Sequence, residues 1–406
     1  MTRPPPRSPV RPRGEPATDR RRKPLSDLGG PVRTGGEPER ADLLRRAMEA
    51  AAASDPDELT HGFHAYTARM HAAIARTLIG AIGKTGDIVA DPFCGSGTVV
   101  LEAMIAGRRA LGVDLNPLAI RVAEVKCDLR DAASRKRFVK TLEEVGERSE
   151  ARVRARVYVR APLPPWEAKF WEAHVLKELA GLREEILAVE DEDDRRALEV
   201  LLSAIVVKFS KQRSDTDERD VPKRIRKGLS TEFFVRRGRE LAERWEALYR
   251  VAPRGAKRPK LFEDDARNLP ELMPRRARAD LILASPPYGG TYDYVQHHAR
   301  RFRWLGVDPR GLESGEVGAR RNLRGDADAS RWDRELGQSL RAMERTIRRG
   351  APVILLIGDA RLGRMTIDAE HHVRRLTERL QLKLLAGASQ PRRDARREHL
   401  LWLELG

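Results

Sequence analysis

The chain has 406 residues, 40% of them hydrophobic and 34% charged, with a formal net charge of +17 and two cysteines. Two cysteines exclude a disulfide framework and a four-cysteine zinc site, and no apolar run approaches the roughly 20 residues that span a bilayer. The surplus of base over acid points to a polyanionic partner, nucleic acid foremost, and the simplest compartment is a reducing cytoplasm.

Residues 1–40, "MTRPPPRSPVRPRGEPATDRRRKPLSDLGGPVRTGGEPER", are rich in proline, glycine and arginine. They carry too little apolar surface to offset ordering entropy and read as a disordered basic tail without the apolar core of a secretory signal. The pattern turns helical from 41, and "MHAAIARTLIGAI" has the apolar spacing of an amphipathic helix. "DIVADPFCGSGTVVLEAMIAGRRALGVDLNPLAIRVAEVK" then predicts strand 87–93, helix 98–107, strand 109–114 and helix 117–126, a β-α-β unit. Residues 41–127 thus form the first half of a core. Residues 128–256 are mainly helical and charged and read as an insertion. Sheet character returns over 257–406 with "RPKLFEDDARNL", "ADLILASPPY" and "APVILLIGDAR", and "LKLLAGASQ" and "REHLLWLEL" predict a closing hairpin. Seven strands, mostly parallel, with helices on both faces make a three-layer α/β sandwich.

Two stretches carry chemistry. In "DPFCGSGT" (91–98) the glycines let the backbone approach a ligand closely after the first strand. The loop lacks the third glycine of a dinucleotide fingerprint and the lysine of a phosphate loop. Asp114 ends the second strand, where doubly wound sheets hold a ribose, and Asp91 stands where it meets an ammonium. A ligand with a ribose and a cationic amino-acid end but no pyrophosphate fits, and S-adenosylmethionine is such a molecule. Adjacent histidine pairs (His297–His298, His371–His372) point to different helix faces, so no metal is expected.

"DPFCGSGT", "GVDLNP", "DDARNL" and "SPPY" together resemble the S-adenosylmethionine-dependent amino-methyltransferases with a Rossmann-like class I fold, which include the DNA enzymes that modify cytosine N4 or adenine N6. The resemblance spans about residues 60–126 and 257–405. It implies that Asp91, Pro92, Phe93, Gly95, Ser96, Gly97 and Thr98 line the cofactor, that Asp114 and Asn116 lie at its ribose, and that Asp265 and Ala266 meet its adenine. "HGFHAYTARMHAAIARTLI" is similar to the segment that covers the methionine end. A base amine is a poor nucleophile, because its lone pair is delocalised into the ring, and no Pro-Cys pair offers a covalent route. Direct attack on the methyl remains, helped by positioned hydrogen-bond acceptors. Ser285, the Pro286 carbonyl and the stiff Pro287 are therefore assigned to the amine and Tyr288 to the face of a flipped base, as the family motif also implies. Tyr292, Asp293 and Tyr294 are candidates for the base pocket. In that family a serine at the head of the motif goes with cytosine N4 and an aspartate or asparagine with adenine, so the resemblance places N4-cytosine ahead of N6-adenine, with double-stranded DNA as the expected partner. The insertion stands where a target-recognition region can lie. The rival readings are an RNA guanine-N2 methyltransferase and a catalytically silent fold that binds nucleic acid.

Overall fold

The computed structural model describes residues 30–406 except 215, 216, 222, 324–328, 363, 364 and 393–395. The first half of the core contributes β1 (Arg33–Gly36), α1 (Pro38–Ala53), α2 (Ala72–Ala81), β2 (Ile88–Asp91), α3 (Thr98–Ile105), β3 (Arg109–Asp114) and α4 (Pro117–Lys126). Then come α5 (Ala132–Arg154), α6 (Pro165–Ala168), α7 (Ala173–Leu187), α8 (Glu192–Val206), the ribbon strands β4 (Gln212–Ser214) and β5 (Asp217–Asp220), and α9 (Leu229–Val251). The chain closes through β6 (Lys260–Glu263), α10 (Leu269–Leu272), β7 (Leu281–Ala284), α11 (Tyr294–Leu305), α12 (Arg310–Gly315), α13 (Ala329–Thr346), β8 (Val353–Gly358), β9 (Ala360–Leu362), β10 (Met365–Ile367), α14 (Ala369–Thr377), β11 (Leu382–Pro391) and β12 (Arg397–Leu405).

One sheet organises the molecule, in the order β1-β11-β12-β8-β7-β2-β3-β6. The run β8-β7-β2-β3-β6 is parallel, and β12 is antiparallel to both of its neighbours. Strands β2, β7 and β8 are buried along their whole length, as parallel strands covered on both faces must be. Alternate residues serve opposite cores. Val89, Leu281, Leu283, Ile354 and Leu356 pack with α1, α2 and α3, whereas Ala90, Ile282, Val353, Leu355 and Ile357 pack with α13 and α14. This is the Rossmann-like α/β architecture that the sequence predicts, with one strand more.

The eighth strand is a correction. Arg33–Gly36 lies in the segment read as a disordered tail, yet it pairs antiparallel with β11, Arg33 opposite Ser389 and Gly36 opposite Ala386. "RTGG" has no apolar residue and all four side chains are exposed, so no periodicity announces it; only backbone pairing holds it. Gly36 sits at φ +86°, and a Cβ there would come 2.1 Å from the Leu385 carbonyl oxygen. The remainder of that segment, residues 1–29, lies outside the described residues.

A third core joins α4, α5, α7, α8, α9 and α11. Two of its helices, α5 and α8, start on side-chain caps, Asp131 accepting from the Ser134 amide and Asp191 from the Asp194 amide. Leu118, Val122 and Val125 from α4 and Phe302, Trp304 and Leu305 from α11 enter this core, so the segment between α4 and β6 packs on helices that flank the sheet. It is helical apart from the β4–β5 ribbon, which the sequence reading assigned no strands. No helix among the described residues is long and apolar enough to cross a membrane.

Candidate functional site

Register brings the four sequence motifs to one edge. Asp91 pairs with Gly112 and Asp114 with Glu263, so β2, β3 and β6 finish side by side at their carboxyl ends. β7 runs parallel to β2, with Ala90 opposite Ile282, which carries Ser285 to the same edge. From β2 the chain steps outward through β3 to β6 and then returns to β7 on the other side. That reversal is the topological switch point where open α/β sheets bind ligands. A cleft with about 800 Å³ of empty space opens there.

Its first wall is the glycine turn. Cys94 N–H donates to the Val113 carbonyl (2.9 Å) and Gly95 N–H to Asp114 Oδ2 (2.8 Å), which tie the turn to β3. Gly97, at φ +81°, starts α3, and a Cβ there would lie 2.7 Å from that of Ala123. Gly97 therefore supports the turn from behind, while Asp91, Pro92, Phe93, Gly95, Ser96 and Thr98 face the cleft. Ser96 Oγ also accepts from the buried Lys126 Nζ at 3.4 Å. Asp114 Oδ1 accepts from the Asn116 amide at 2.8 Å. Asn116 caps α4 through the Leu118 amide (3.0 Å) and donates to Tyr66 Oη (3.0 Å).

Burial sets the electrostatics. Asp91 is held well above the usual carboxylate range, against a hydrogen bond from the Phe93 amide that lowers it. Burial pushes Asp114 up to about 6, opposed by its two backbone N–H donors. Among the described residues neither makes an ion pair, so the cleft holds two buried acids without a fixed cation. Thr98 Oγ1 is buried there without a hydrogen-bond partner. These groups suit a ligand that brings an ammonium and a pair of hydroxyls.

Asp265 and Ala266 line the adjoining wall. The Asp265 carboxylate is already engaged: Oδ1 accepts from the Arg267 amide (2.9 Å) and Nε (2.7 Å), and Oδ2 from the same guanidinium. The opposite wall carries Ser285, Pro287 and Tyr294. Pro286 is buried behind them.

Tyr288 is a second correction. Its ring is 2% exposed and belongs to the core between β8 and α13, not to the cleft. Residue 358 on β8 is glycine, and a Cβ there would lie 2.7 Å from the Tyr288 ring, so the slot exists only because that side chain is missing. The Tyr288 hydroxyl donates to Glu398 Oε1 on β12. Asp293 also turns inward: it caps α11 through the Gln296 amide (3.1 Å) and pairs with Arg321 at 3.0 Å. The Tyr292 ring packs on Tyr294 (5.6 Å) and His297 (6.0 Å) outside the cleft wall. Of the three base-pocket candidates, Tyr294 alone reaches the wall.

Among the wall residues that sequence reasoning did not single out are Tyr66 and Glu316. Tyr66, between α1 and α2, stacks near Tyr294 (6.3 Å), and its ring lies 3.4 Å from where a Gly95 Cβ would be. The 61–79 segment was expected over the methionine end, but nothing in its spacing singles out Tyr66. Glu316, just after α12, accepts from the Tyr294 amide (2.9 Å), and burial raises its carboxyl. Asp359, Asp368 and His399 form a close cluster, but its atoms are occupied. Asp359 accepts from His399 Nε2 (2.9 Å) and from the Ala369 and Arg397 amides, and Asp368 caps α14.

Residues 42–125, which hold the glycine turn and Asp114, match the DNA methylase family of N6/N4 type. Over that stretch the chain is similar to the DNA methylases of that type. Among curated proteins, it is 32% identical over 79 residues to type II methyltransferase M.MjaII of Methanocaldococcus jannaschii, covering 20% of this chain and 15% of that protein. It is 25% identical over 263 residues to type II methyltransferase M.MvaI of Kocuria varians, covering 61% of this chain and 58% of that one. The chain thus spans less than two thirds of the length of either relative. Among solved structures it aligns with TrmN from Thermus thermophilus at 14% identity and a TM-score of 0.31, covering 83% of this chain and 49% of that one.

Proposed function

We propose that the protein transfers a methyl group from S-adenosylmethionine to the exocyclic amine of a flipped base in double-stranded DNA, with cytosine N4 ahead of adenine N6. The observation that carries this reading is the convergence of Asp91, Asp114 and Ser285 on one cleft at the carboxyl edge of the sheet. The match of residues 42–125 to a DNA methylase family and the net charge of +17 support DNA as the partner. Asp91 takes the ammonium, Asp114 the ribose hydroxyls, and Tyr66 covers the methionine end. When bound, the cofactor supplies an electrophilic methyl. Ser285 Oγ and the Pro286 carbonyl accept the amine hydrogens and so favour a localised nitrogen lone pair. Tyr294 replaces Tyr288 as the ring offered to the base face. With radiolabelled S-adenosylmethionine, the purified protein should label duplex DNA, and Ser285→Ala should not. Label in RNA alone would move the substrate while keeping the chemistry.

The buried acids make cofactor binding pH-dependent. Asp114 is charged above about 6 and neutral below it, and its charged form is the better acceptor for a ribose diol. Affinity should therefore tighten as pH rises, by about 10-fold from pH 5 to 7. Isothermal titration across that range checks this, and a flat profile contradicts it.

A further inference from the structure

S-adenosylmethionine carries a carboxylate beside its ammonium. Asp91 answers the ammonium, and the carboxylate needs a positive partner. Arg69 is the one cationic side chain among the described residues of the cleft wall. Its guanidinium already donates to the His61 and Pro56 carbonyls and to Asp57 Oδ1 (2.6 Å). A second cation stands behind the wall. Lys126, in the last turn of α4, is fully buried. It lies one turn beyond Ala123, against which Gly97 packs. Helix side chains lean toward the N-terminus of their helix, so that of Lys126 runs back to the glycine turn. There Nζ donates to Ser96 Oγ at 3.4 Å, and among the described residues it makes no ion pair.

A buried ammonium held by one hydroxyl is costly. The hydroxyl it holds belongs to the cleft wall, which Ser96 lines together with Thr98, the first residue of α3. Thr98 is 4% exposed, and its Oγ1 is buried without a hydrogen-bond partner. Gly97, the N-cap of the eight-residue α3, brings no side chain to that helix end. A helix N-terminus favours an anion, and here two wall hydroxyls stand beside it.

We propose that Lys126 is the counter-charge of the cofactor's carboxylate and positions the group that binds it. Its ammonium fixes Ser96 Oγ as an acceptor, which turns the serine proton into the cleft. That proton and the Thr98 hydroxyl hold the carboxylate at the start of α3. The proposal rests on S-adenosylmethionine as the ligand, and it makes the site select a zwitterionic amino-acid end rather than an ammonium alone. Burial pushes the Lys126 ammonium down to about 7 and Arg69 acts the same way, while Cys127, Asp57 and Glu102 raise it. An anion at Ser96 joins the groups that raise it and so keeps the cation charged.

Isothermal titration of the full chain tests this at about pH 6.5, below the Lys126 value and above that of Asp114. The two ligands are S-adenosylmethionine and its decarboxylated form, which keeps the ammonium, sulfonium and ribose. The wild type should bind S-adenosylmethionine about 10- to 100-fold more tightly, the range of one hydrogen bond to a charged group. Lys126→Met should lose most of that preference by weakening S-adenosylmethionine without weakening the decarboxylated ligand. Ser96→Ala should do the same, and the double variant should be no worse than either. A Lys126 that only supports the fold would weaken both ligands together, and that result overturns the proposal. So does equal affinity of the wild type for the two ligands, or a preference that survives either substitution. Ser96→Ala decides the matter if Lys126→Met does not fold. A wild type that binds neither ligand would instead overturn the reading of the cofactor, and this proposal with it.

Discussion

Asp114→Ala is expected to weaken S-adenosylmethionine binding by about 10²-fold, near 2.7 kcal/mol. Asp114 does two jobs. Its carboxylate offers the lone pairs that a ribose diol needs, and it accepts the Gly95 and Asn116 amides at 2.8 Å each. Alanine removes the ligand contact and leaves two backbone donors without their acceptor, each worth about 1–3 kcal/mol when buried. The glycine turn then loses the tie that sets its distance from β3. Titration of the variant with S-adenosylmethionine in the absence of DNA reads the loss; affinity within about threefold of wild type, well below the loss of one charged hydrogen bond, would contradict the assignment.

Arg130→Met is expected to cost about 3–5 kcal/mol of stability. Arg130 is 2% exposed and holds Asp128 Oδ2 at 2.6 Å and the fully buried Asp194 at the start of α8. Its guanidinium also sits 4.3 Å from the Trp245 ring centre on α9 and 5.1 Å from that of Phe138 on α5. One cation thus clamps the exit of the core to three helices of the insertion, and its removal takes from Asp128 and Asp194 their buried partner, leaving only the half-exposed Arg258 and Arg137. Thermal unfolding should stay a single transition at a lower midpoint, because α4 and α11 share one apolar core with those helices. Two separate transitions, with only one displaced, would show an insertion that folds by itself. By contrast Lys140→Ala, whose partner Glu144 is half exposed at 3.7 Å, removes a surface pair worth under about 1 kcal/mol.

The half of the site that was legible in the sequence is the half made of strand ends. Asp91, Gly95, Gly97 and Asp114 belong to one β-α-β unit, so local periodicity fixes where each must stand. Ser285 follows the apolar run of β7, and a proline pair that cannot extend a ladder marks the strand's end. What stayed hidden depends on residues far apart in the chain. The inward turn of Tyr288 needs Gly358 and Glu398 on two other strands. Tyr66 gains its place through Asn116 and Tyr294, and Glu316 through the Tyr294 amide. β1 is invisible because its pairing uses backbone alone. The depth of the insertion's attachment escaped notice for a similar reason: Arg130 reads as one more charge in a charged segment.

The measurement that bears most directly on the central claim is nucleoside mass spectrometry after expression in a methylation-deficient host, with Ser285→Ala beside the wild type. DNA and RNA are hydrolysed separately and searched for N4-methylcytosine, N6-methyladenine and N2-methylguanine. A base-amine mark in DNA, N4-methylcytosine first, present with the wild type and absent with the variant, is the predicted result. No such mark in DNA, or a mark equally strong with Ser285→Ala, would contradict it.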